Sequence, residues 1–154
     1  MQLVKYPCLG LCRKLKPFPP AGIDKLKQPV HQMFSILHKS QGLGLAANQV
    51  GLPYRLFVMH IKGDPAACEC VFINPVLSKP VGETISTEGC LSLPGICGSV
   101  ARFNQITLSA YNLLGEKVTY DFSGLPAVIA QHECDHLDGI LFIDRAVNYW
   151  KYNR

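Results

Sequence analysis

The string His-Glu-Cys-Asp-His at residues 132–136 constrains this chain more than any other part of its sequence. Residues four apart lie one turn apart on the same face of an α-helix, so His132 and His136 are spaced to bind one metal ion. Glu133 follows the first histidine, where a carboxylate is placed to take a proton from water at the metal. The string therefore predicts a metal-binding helix, although two surface histidines on an ordinary helix would have the same spacing.

A metal site of this kind needs a third protein ligand, and the residues after the string offer no obvious one. In metzincin peptidases the pattern HExxHxxGxxH ends in a third histidine, but here Phe142 takes that place and cannot bind a metal. Thermolysin-like zinc peptidases use a downstream glutamate, and no glutamate follows Glu133. Asp144, in the run LFIDR, is more typical of pairing within the tail. We therefore expect the third ligand upstream, where a cysteine thiolate is the natural candidate for binding iron or zinc.

Composition indicates an ordinary globular chain. Its 154 residues are 48% hydrophobic and 17% charged, which suits one domain spanning residues 1–154 with a sizeable core. The net charge is +4 with scattered Lys and Arg, so no nucleic-acid partner is expected. No apolar run approaches the roughly 18 residues of a membrane span, and the N-terminus lacks the features of a secretion signal.

The cysteines favour a reducing compartment. There are 7, an odd number, and they do not form the paired CxxC spacing of a structural zinc site. We therefore predict a cytoplasmic location. Cys68 and Cys70 would face opposite sides of an extended strand, so this pair is not expected to bind a metal.

The spacing of apolar residues predicts an α+β fold. Residues 1–23 are rich in Pro and Gly and are expected to form an extended arm, followed by a helix over about 26–40 with His31 and His38 on its surface. Strands are predicted at 55–61, 70–73, 76–78, 81–87, 106–112 and 117–123. Gly124 then precedes a second helix, with Pro126 in its first turn, where the missing N–H is harmless.

Three segments combine small residues with groups able to do chemistry: GLGLAANQ at 42–49, EGCLS at 88–92 and QHECDHLDG at 131–139. The first lacks the Lys-Ser/Thr ending of a phosphate-binding loop. Together the segments resemble the three signature motifs of peptide deformylase, in the order and at the spacing of that family, within a match over about 24–145. The resemblance implies an enzyme that removes the N-formyl group from the initiator methionine of nascent peptides and releases formate. It also implies a central metal-binding helix surrounded by antiparallel β-sheets.

The resemblance implies a role for each reactive residue of these motifs. Cys90, His132 and His136 are similar to the three metal ligands of the family, and Glu133 to the base that later protonates the leaving amine. One thiolate and two imidazoles suit Fe²⁺, Zn²⁺, Ni²⁺ or Co²⁺. The family resemblance favours Fe²⁺, and such a site is expected to be oxygen-sensitive.

The remaining implied roles concern the substrate. The Gln49 side-chain amide and the Leu91 backbone N–H resemble the pair that stabilises the developing oxyanion. Gly44 lies where the family hydrogen-bonds the peptide backbone, and Arg102 matches an arginine expected to be structural or peptide-binding. An apolar pocket for the methionine side chain is expected from Leu43, Leu125, Val128 and Ile129.

Two alternatives and one departure from the family pattern accompany this interpretation. A small zinc peptidase would need a third ligand that the tail does not supply, and a non-catalytic metal-stabilised binding module would have no use for Glu133. Only AVNYWKYNR follows Arg145, too short for the long C-terminal helix that the family associates with ribosome docking. We therefore expect activity without that helix, while ribosome association is in doubt.

Overall fold

The computed structural model describes residues 1–60 and 69–152. Within these residues the strands are β1 (Gly44–Ala46), β2 (Leu56–Met59), β3 (Cys70–Cys90), β4 (Leu93–Tyr111), β5 (Lys117–Ser123) and β6 (Asn148–Lys151). The helices are α1 (Lys27–Lys39), α2 (Leu125–Leu137) and α3 (Phe142–Arg145), with 3₁₀ turns at Leu9–Cys12, Pro20–Leu26 and Ala47–Val50.

The described strands form a sheet in the order β1-β2-β3-β4-β5, with every neighbouring pair antiparallel. The tail strand β6 pairs with the first part of β4. Helix α2 packs against β1, β2, β3, β4 and β5, so it lies at the centre of the molecule. The predicted α+β class, with antiparallel sheet and an N-terminal helix, is confirmed.

Helix α1 forms where its apolar spacing predicts, because Val30, Met33 and Leu37 recur at helical intervals and are buried together. Pro29 lies in its first turn, where a missing N–H costs nothing. The predicted extended arm is interrupted by 3₁₀ turns, and Pro20 begins the second of them because its fixed φ suits a helical start. In the described ranges, no helix is long and apolar enough to cross a membrane.

Strands β3 and β4 form a hairpin much longer than the sequence suggests. β3 runs for 21 residues and β4 for 19, whereas separate short strands were predicted. Asn74 and Lys79, each followed by proline, take positive φ angles of 52° and 49°, and the pairing register shifts beside both. These positions, which the sequence suggests as strand ends, therefore form β-bulges within a continuous strand. The end of the predicted strand 55–61, at Ile61, and Cys68 lie outside the described residues.

Helix α2 follows Gly124, whose φ of 63° turns the chain out of β5. Its apolar residues are buried, but so are several of its polar ones, including Gln131, Glu133 and His136. Gln131 ties the helix to β4 because its side-chain amide donates to the Phe103 carbonyl at 2.8 Å and accepts from the Phe103 N–H at 2.9 Å. A helix buried almost all round therefore carries polar groups into the interior of the sheet.

Candidate metal centre

Two elements bring the three predicted ligands together. His132 and His136 lie one turn apart on α2, and Cys90 is the last residue of β3, directly before the turn at residues 91–92. The Cys90 Sγ and one ring nitrogen of each histidine all lie within 4.8 Å of one another. The Cys90 Sγ is 3.2 Å from the His136 Nε2. Ligands of one tetrahedral ion with bonds of about 2.0–2.3 Å lie roughly 3.5 Å apart, so these donors fit a single metal ion.

The charges around these donors also favour a bound cation. Burial holds the pKa of His136 well below its usual value, which keeps this imidazole in the neutral form that binds a metal. Burial would lower the pKa of His132 as well, yet its contacts with Cys90 and Glu88 raise that pKa well above its usual value. The site therefore favours positive charge at His132, which a metal cation would supply in place of a proton.

Glu88 orients the first histidine. Its Oε2 lies 2.8 Å from the His132 Nδ1, so the other ring nitrogen is directed toward Cys90 and His136. Metal-binding histidines are commonly held in this way by a carboxylate. Burial alone would raise the pKa of Glu88, but hydrogen bonds from Arg102 and His132 outweigh it and hold that pKa at about 2. Glu88 is therefore an ionised acceptor at neutral pH.

Arg102 lies between Glu88 and Asp135 and does not line the cleft that opens beside the predicted ligands. Its side chain is 4% exposed and forms two bonds to Glu88, at 2.7 and 2.9 Å. A third bond, of 2.6 Å, reaches Asp135 on α2, which Arg145 also binds. These three bonds hold the planar guanidinium between the two carboxylates. These contacts favour the structural one of the two roles predicted for Arg102, while its substrate-binding role stays a prediction.

Glu133 is buried beside the glycine-rich segment. It is 3% exposed, and its Oε2 has no hydrogen-bond partner among the described residues. A Cβ on Gly44 would lie 2.8 Å from the Glu133 Cδ, so only glycine allows the backbone this close. Burial raises the pKa of Glu133 to about 7, against an opposing effect of His132. Glu133 is thus a carboxyl group able to hold or release a proton near neutral pH.

Gln49 lies in the 3₁₀ turn Ala47–Val50, next to Cys90. Its Oε1 accepts a hydrogen bond of 2.8 Å from the Ala46 N–H, which fixes the orientation of the amide. Its Nε2 then points toward Cys90 Sγ at 3.3 Å and Ser92 Oγ at 3.1 Å. The neighbouring Asn48 donates to the His136 carbonyl at 2.7 Å and so ties this turn to α2. The amide donor of Gln49 is therefore held beside the predicted metal ligands.

A cleft of about 470 Å³ opens next to these groups. It brings together the predicted substrate residues other than Arg102 with the residues predicted to act in catalysis. Its walls include Leu43, Gly44, Gln49, Leu91, Leu125, Val128, Ile129 and Glu133. Leu43 and Leu125 are 41% and 51% exposed, so two large apolar side chains stand open at the mouth of the cleft. Such a surface suits an apolar side chain of a ligand.

Comparison with known proteins identifies the family. The chain matches the family model described as polypeptide deformylase over residues 1–151. The chain belongs to the polypeptide deformylase family. A curated peptide deformylase from Neisseria gonorrhoeae is 40% identical over 145 residues, which cover 94% of this chain and 86% of the relative. One from Aquifex aeolicus is 41% identical over 126 residues, covering 80% and 75% of the two chains.

Solved deformylase structures share the fold. A peptide deformylase from Synechococcus elongatus, in complex with actinonin, superposes with a TM-score of 0.90 at 34% identity and covers 96% of this chain and 81% of that one. The enzyme from the Vibrio parahaemolyticus bacteriophage VP16T gives a TM-score of 0.84 at 30% identity, covering 92% and 99%. The predicted family is therefore confirmed, and the chain is an enzyme of the deformylase class.

Sequence reasoning missed part of this deformylase site. Glu88 lies inside the quoted motif EGCLS, and Asp135 inside HECDH, yet neither received a role from the sequence. The signal for Glu88 was present, because a metal-binding histidine usually donates its second N–H to a carboxylate. The partnership of Arg145 with Asp135 joins α3 to the same network and depends on tertiary structure. Cys134, also inside HECDH, is buried, and burial raises the pKa of its thiol.

Proposed function

We propose that this deformylase is a metal-dependent hydrolase that removes the N-formyl group from the initiator methionine of nascent peptides and releases formate. The observation that carries the proposal is the meeting of Cys90, His132 and His136, with their donor atoms within 4.8 Å of one another, beside the buried carboxyl group of Glu133. A hydrolase needs this combination, whereas a binding module would have no use for an unpaired carboxyl group at its metal.

We infer that Cys90, His132 and His136 hold the metal ion, and we assign Fe²⁺ to the native enzyme on the family resemblance. The same donors accept Zn²⁺, Ni²⁺ and Co²⁺. When bound, the ion would supply Lewis acidity to the formyl carbonyl and lower the pKa of water. Because a ferrous ion and a thiolate both oxidise, activity is expected to decay in air.

The protein residues supply proton transfer and charge stabilisation. Glu133 takes a proton from the attacking water at its carboxylate and returns it to the leaving amine nitrogen. Its burial and its pKa of about 7 support this role. The Gln49 Nε2 and the Leu91 backbone N–H donate to the negative charge that develops on the formyl oxygen. The Gly44 backbone pairs with the peptide backbone.

Substrate selection rests on the cleft. Leu43, Leu125, Val128 and Ile129 offer apolar surface for the methionine side chain. The formyl carbon bears only hydrogen, so a tight site admits it and rejects larger acyl groups. The cleft therefore selects both for the formyl group and for the methionine that carries it.

We place the enzyme in the cytoplasm as one catalytic domain, residues 1–154. Free thiols at Cys8, Cys12, Cys90, Cys97 and Cys134 support a reducing compartment. The described part of the tail forms β6 rather than a helix, so docking on the ribosome through a C-terminal helix is not part of the proposal.

Formate release from formyl-Met-Ala-Ser tests the proposal. Protein purified without oxygen and loaded with iron, nickel or cobalt should release formate, and acetyl-Met-Ala-Ser should react far more slowly. Removing the metal with a chelator should abolish the reaction, and adding the metal back should restore it. Release of free methionine from unformylated Met-Ala-Ser, with no formate from the formylated peptide, would favour a zinc peptidase. No formate with any of these metals would overturn the proposal.

A further inference from the structure

A second group of possible metal donors lies outside the catalytic cleft. It consists of His38 near the end of α1, His60 directly after β2 and Glu69 directly before β3. One ligand atom from each of these residues lies within 4.8 Å of the other two. The His38 Nε2 is 3.3 Å from the Glu69 Oε1, and the two imidazole rings are 5.0 Å apart between centroids. Three separate elements therefore present nitrogen and oxygen donors to one point.

One ring nitrogen of His60 is available to bind a metal ion. Its Nδ1 is buried and has no hydrogen-bond partner among the residues that the structure describes. Buried polar atoms are nearly always paired, so an unpaired ring nitrogen indicates a missing partner such as an ion or a water molecule. The His60 backbone N–H donates to the Leu43 carbonyl at 2.9 Å, which fixes the residue beside the wall of the cleft.

The backbone at Glu69 is also unusual. Its φ of 49° is in the left-handed region, which residues other than glycine rarely adopt. Residues held in this region are found at ligand clamps, where surrounding contacts maintain the unusual conformation. Here the conformation accompanies a carboxylate that contacts His38 across the gap between β3 and α1.

We propose that His38, His60 and Glu69 form a second metal site, selective for a divalent transition-metal ion of the zinc class. Two imidazoles and one carboxylate are a ligand set that binds zinc with one position left for water. Nitrogen donors predominate, which disfavours magnesium and calcium, since both prefer oxygen. The site is separate from the Cys90 centre. Its ion would join the end of α1 to the residue after β2 and the residue before β3.

The simpler alternative is an ordinary surface contact between a histidine and a glutamate. The side chains of His38 and Glu69 are 43% and 51% exposed, which such a contact would also allow. That alternative predicts no metal affinity above that of scattered surface histidines. It also predicts that each of the three residues is dispensable for metal binding, so direct measurement separates the two.

Metal titration of the loaded enzyme tests the second site. Protein carrying one zinc ion per chain at its catalytic centre is titrated with Co²⁺, while absorption and bound cobalt are recorded. One further equivalent should bind, without the thiolate charge-transfer band that cobalt at Cys90 would give. Loss of an outer-shell partner alone costs 10–100-fold in metal affinity, so Glu69→Gln and His38→Ala should each weaken this equivalent by about 100-fold or more.

His31→Ala is the matched control, since His31 is an exposed histidine on the same helix and should leave the second equivalent unchanged. Three outcomes would overturn the proposal: no saturable second equivalent below about 1 mM free metal, equal binding by Glu69→Gln, His38→Ala and the wild type, or a thiolate band that reports exchange at Cys90. The side chains of His38 and Glu69 are both exposed, so both variants should fold. The titration measures metal binding and not formate release, so a negative result would leave the deformylase proposal intact.

Discussion

Gly44 shows how closely the site depends on single residues. A methyl group at this position would lie 2.8 Å from the Glu133 Cδ, well inside van der Waals contact. Gly44→Ala should therefore displace the carboxyl group and lower kcat at least about tenfold, because overpacking of about 1–3 kcal/mol must be relieved by movement. The metal content should not change, since the atoms nearest to the added methyl group all belong to Glu133 and not to a proposed ligand.

Gly10→Ala is the control for this change. A Cβ there would meet only the Cys8 Sγ, at an ordinary 3.7 Å. Steady-state kinetics and metal analysis on both variants check the prediction. A Gly44→Ala enzyme with the wild-type kcat would show that the position of Glu133 is not critical.

Glu88 is predicted to control metal affinity through His132. Glu88→Gln removes the charged acceptor of the His132 N–H, so metal affinity should fall by about 10–100-fold. It also leaves the buried Arg102 with weaker pairing, which should lower the free energy of unfolding by about 1–3 kcal/mol. Competition with a chromophoric chelator measures the affinity, and denaturant unfolding measures the stability.

The exposed Glu83, on the same strand, supplies the matched control. Glu83→Gln should change neither quantity beyond about 0.5 kcal/mol. Equal metal affinity in Glu88→Gln and the wild type would rule out the proposed role of Glu88 in orienting the histidine.

At the residue scale, the reactive residues inside the motifs could be predicted from the sequence. The residues that hold them in place could not. The i, i+4 spacing of His132 and His136 depends only on helix geometry, so it could be deduced from the sequence. The bond between Glu88 and His132 joins residues 44 positions apart, and no local pattern specifies it. The bonds of Arg102 to Glu88 and Asp135 likewise join residues 14 and 33 positions apart, so the sequence leaves its role open between structure and substrate binding.

At the scale of elements, helices were predicted better than strands. Helix α1 was expected over 26–40 and spans Lys27–Lys39, because burial on one side gives a clear helical period. The part of β4 before residue 106 was missed entirely, since residues 93–105 contain few alternating apolar positions. In β3, prolines and positive φ angles form bulges within a paired strand, and the sequence alone does not distinguish a bulge from a turn.

The tail strand β6 yields a prediction at the same scale. It pairs with residues 96–99 of β4, and the Tyr152 N–H donates to the Gly95 carbonyl at 3.0 Å. Deleting residues 147–154 should keep the metal, because the proposed ligands lie on β3 and α2. It should raise KM, since Tyr152 lines the cleft, and lower the free energy of unfolding by about 1–3 kcal/mol.

A chain ending at Tyr152 is the control and should behave as the full chain. Metal content, KM and denaturant unfolding are measured on both proteins. Loss of the metal on deletion of residues 147–154 would contradict the assignment of all three ligands to elements outside the tail.

At the scale of the whole molecule, the sheet packs around a helix that carries polar side chains into the interior. Helix α2 buries Glu133, Asp135 and His136 among apolar neighbours, where unpaired charge is costly. Arg102 and Arg145 neutralise Asp135, and Asn48 binds the backbone of His136. These contacts come from distant segments, so the complete fold is required to hold the site.

Glu133→Gln tests the central claim, that this fold places a proton-transferring carboxyl group beside a metal held by one thiolate and two imidazoles. Metal content and formate release from formyl-Met-Ala-Ser are measured on the same anaerobic samples of variant and wild type. The proposed mechanism predicts one metal ion per chain in both proteins and a rate at least about 100-fold lower in the variant. A variant that binds its metal and releases formate at the wild-type rate would contradict the claim.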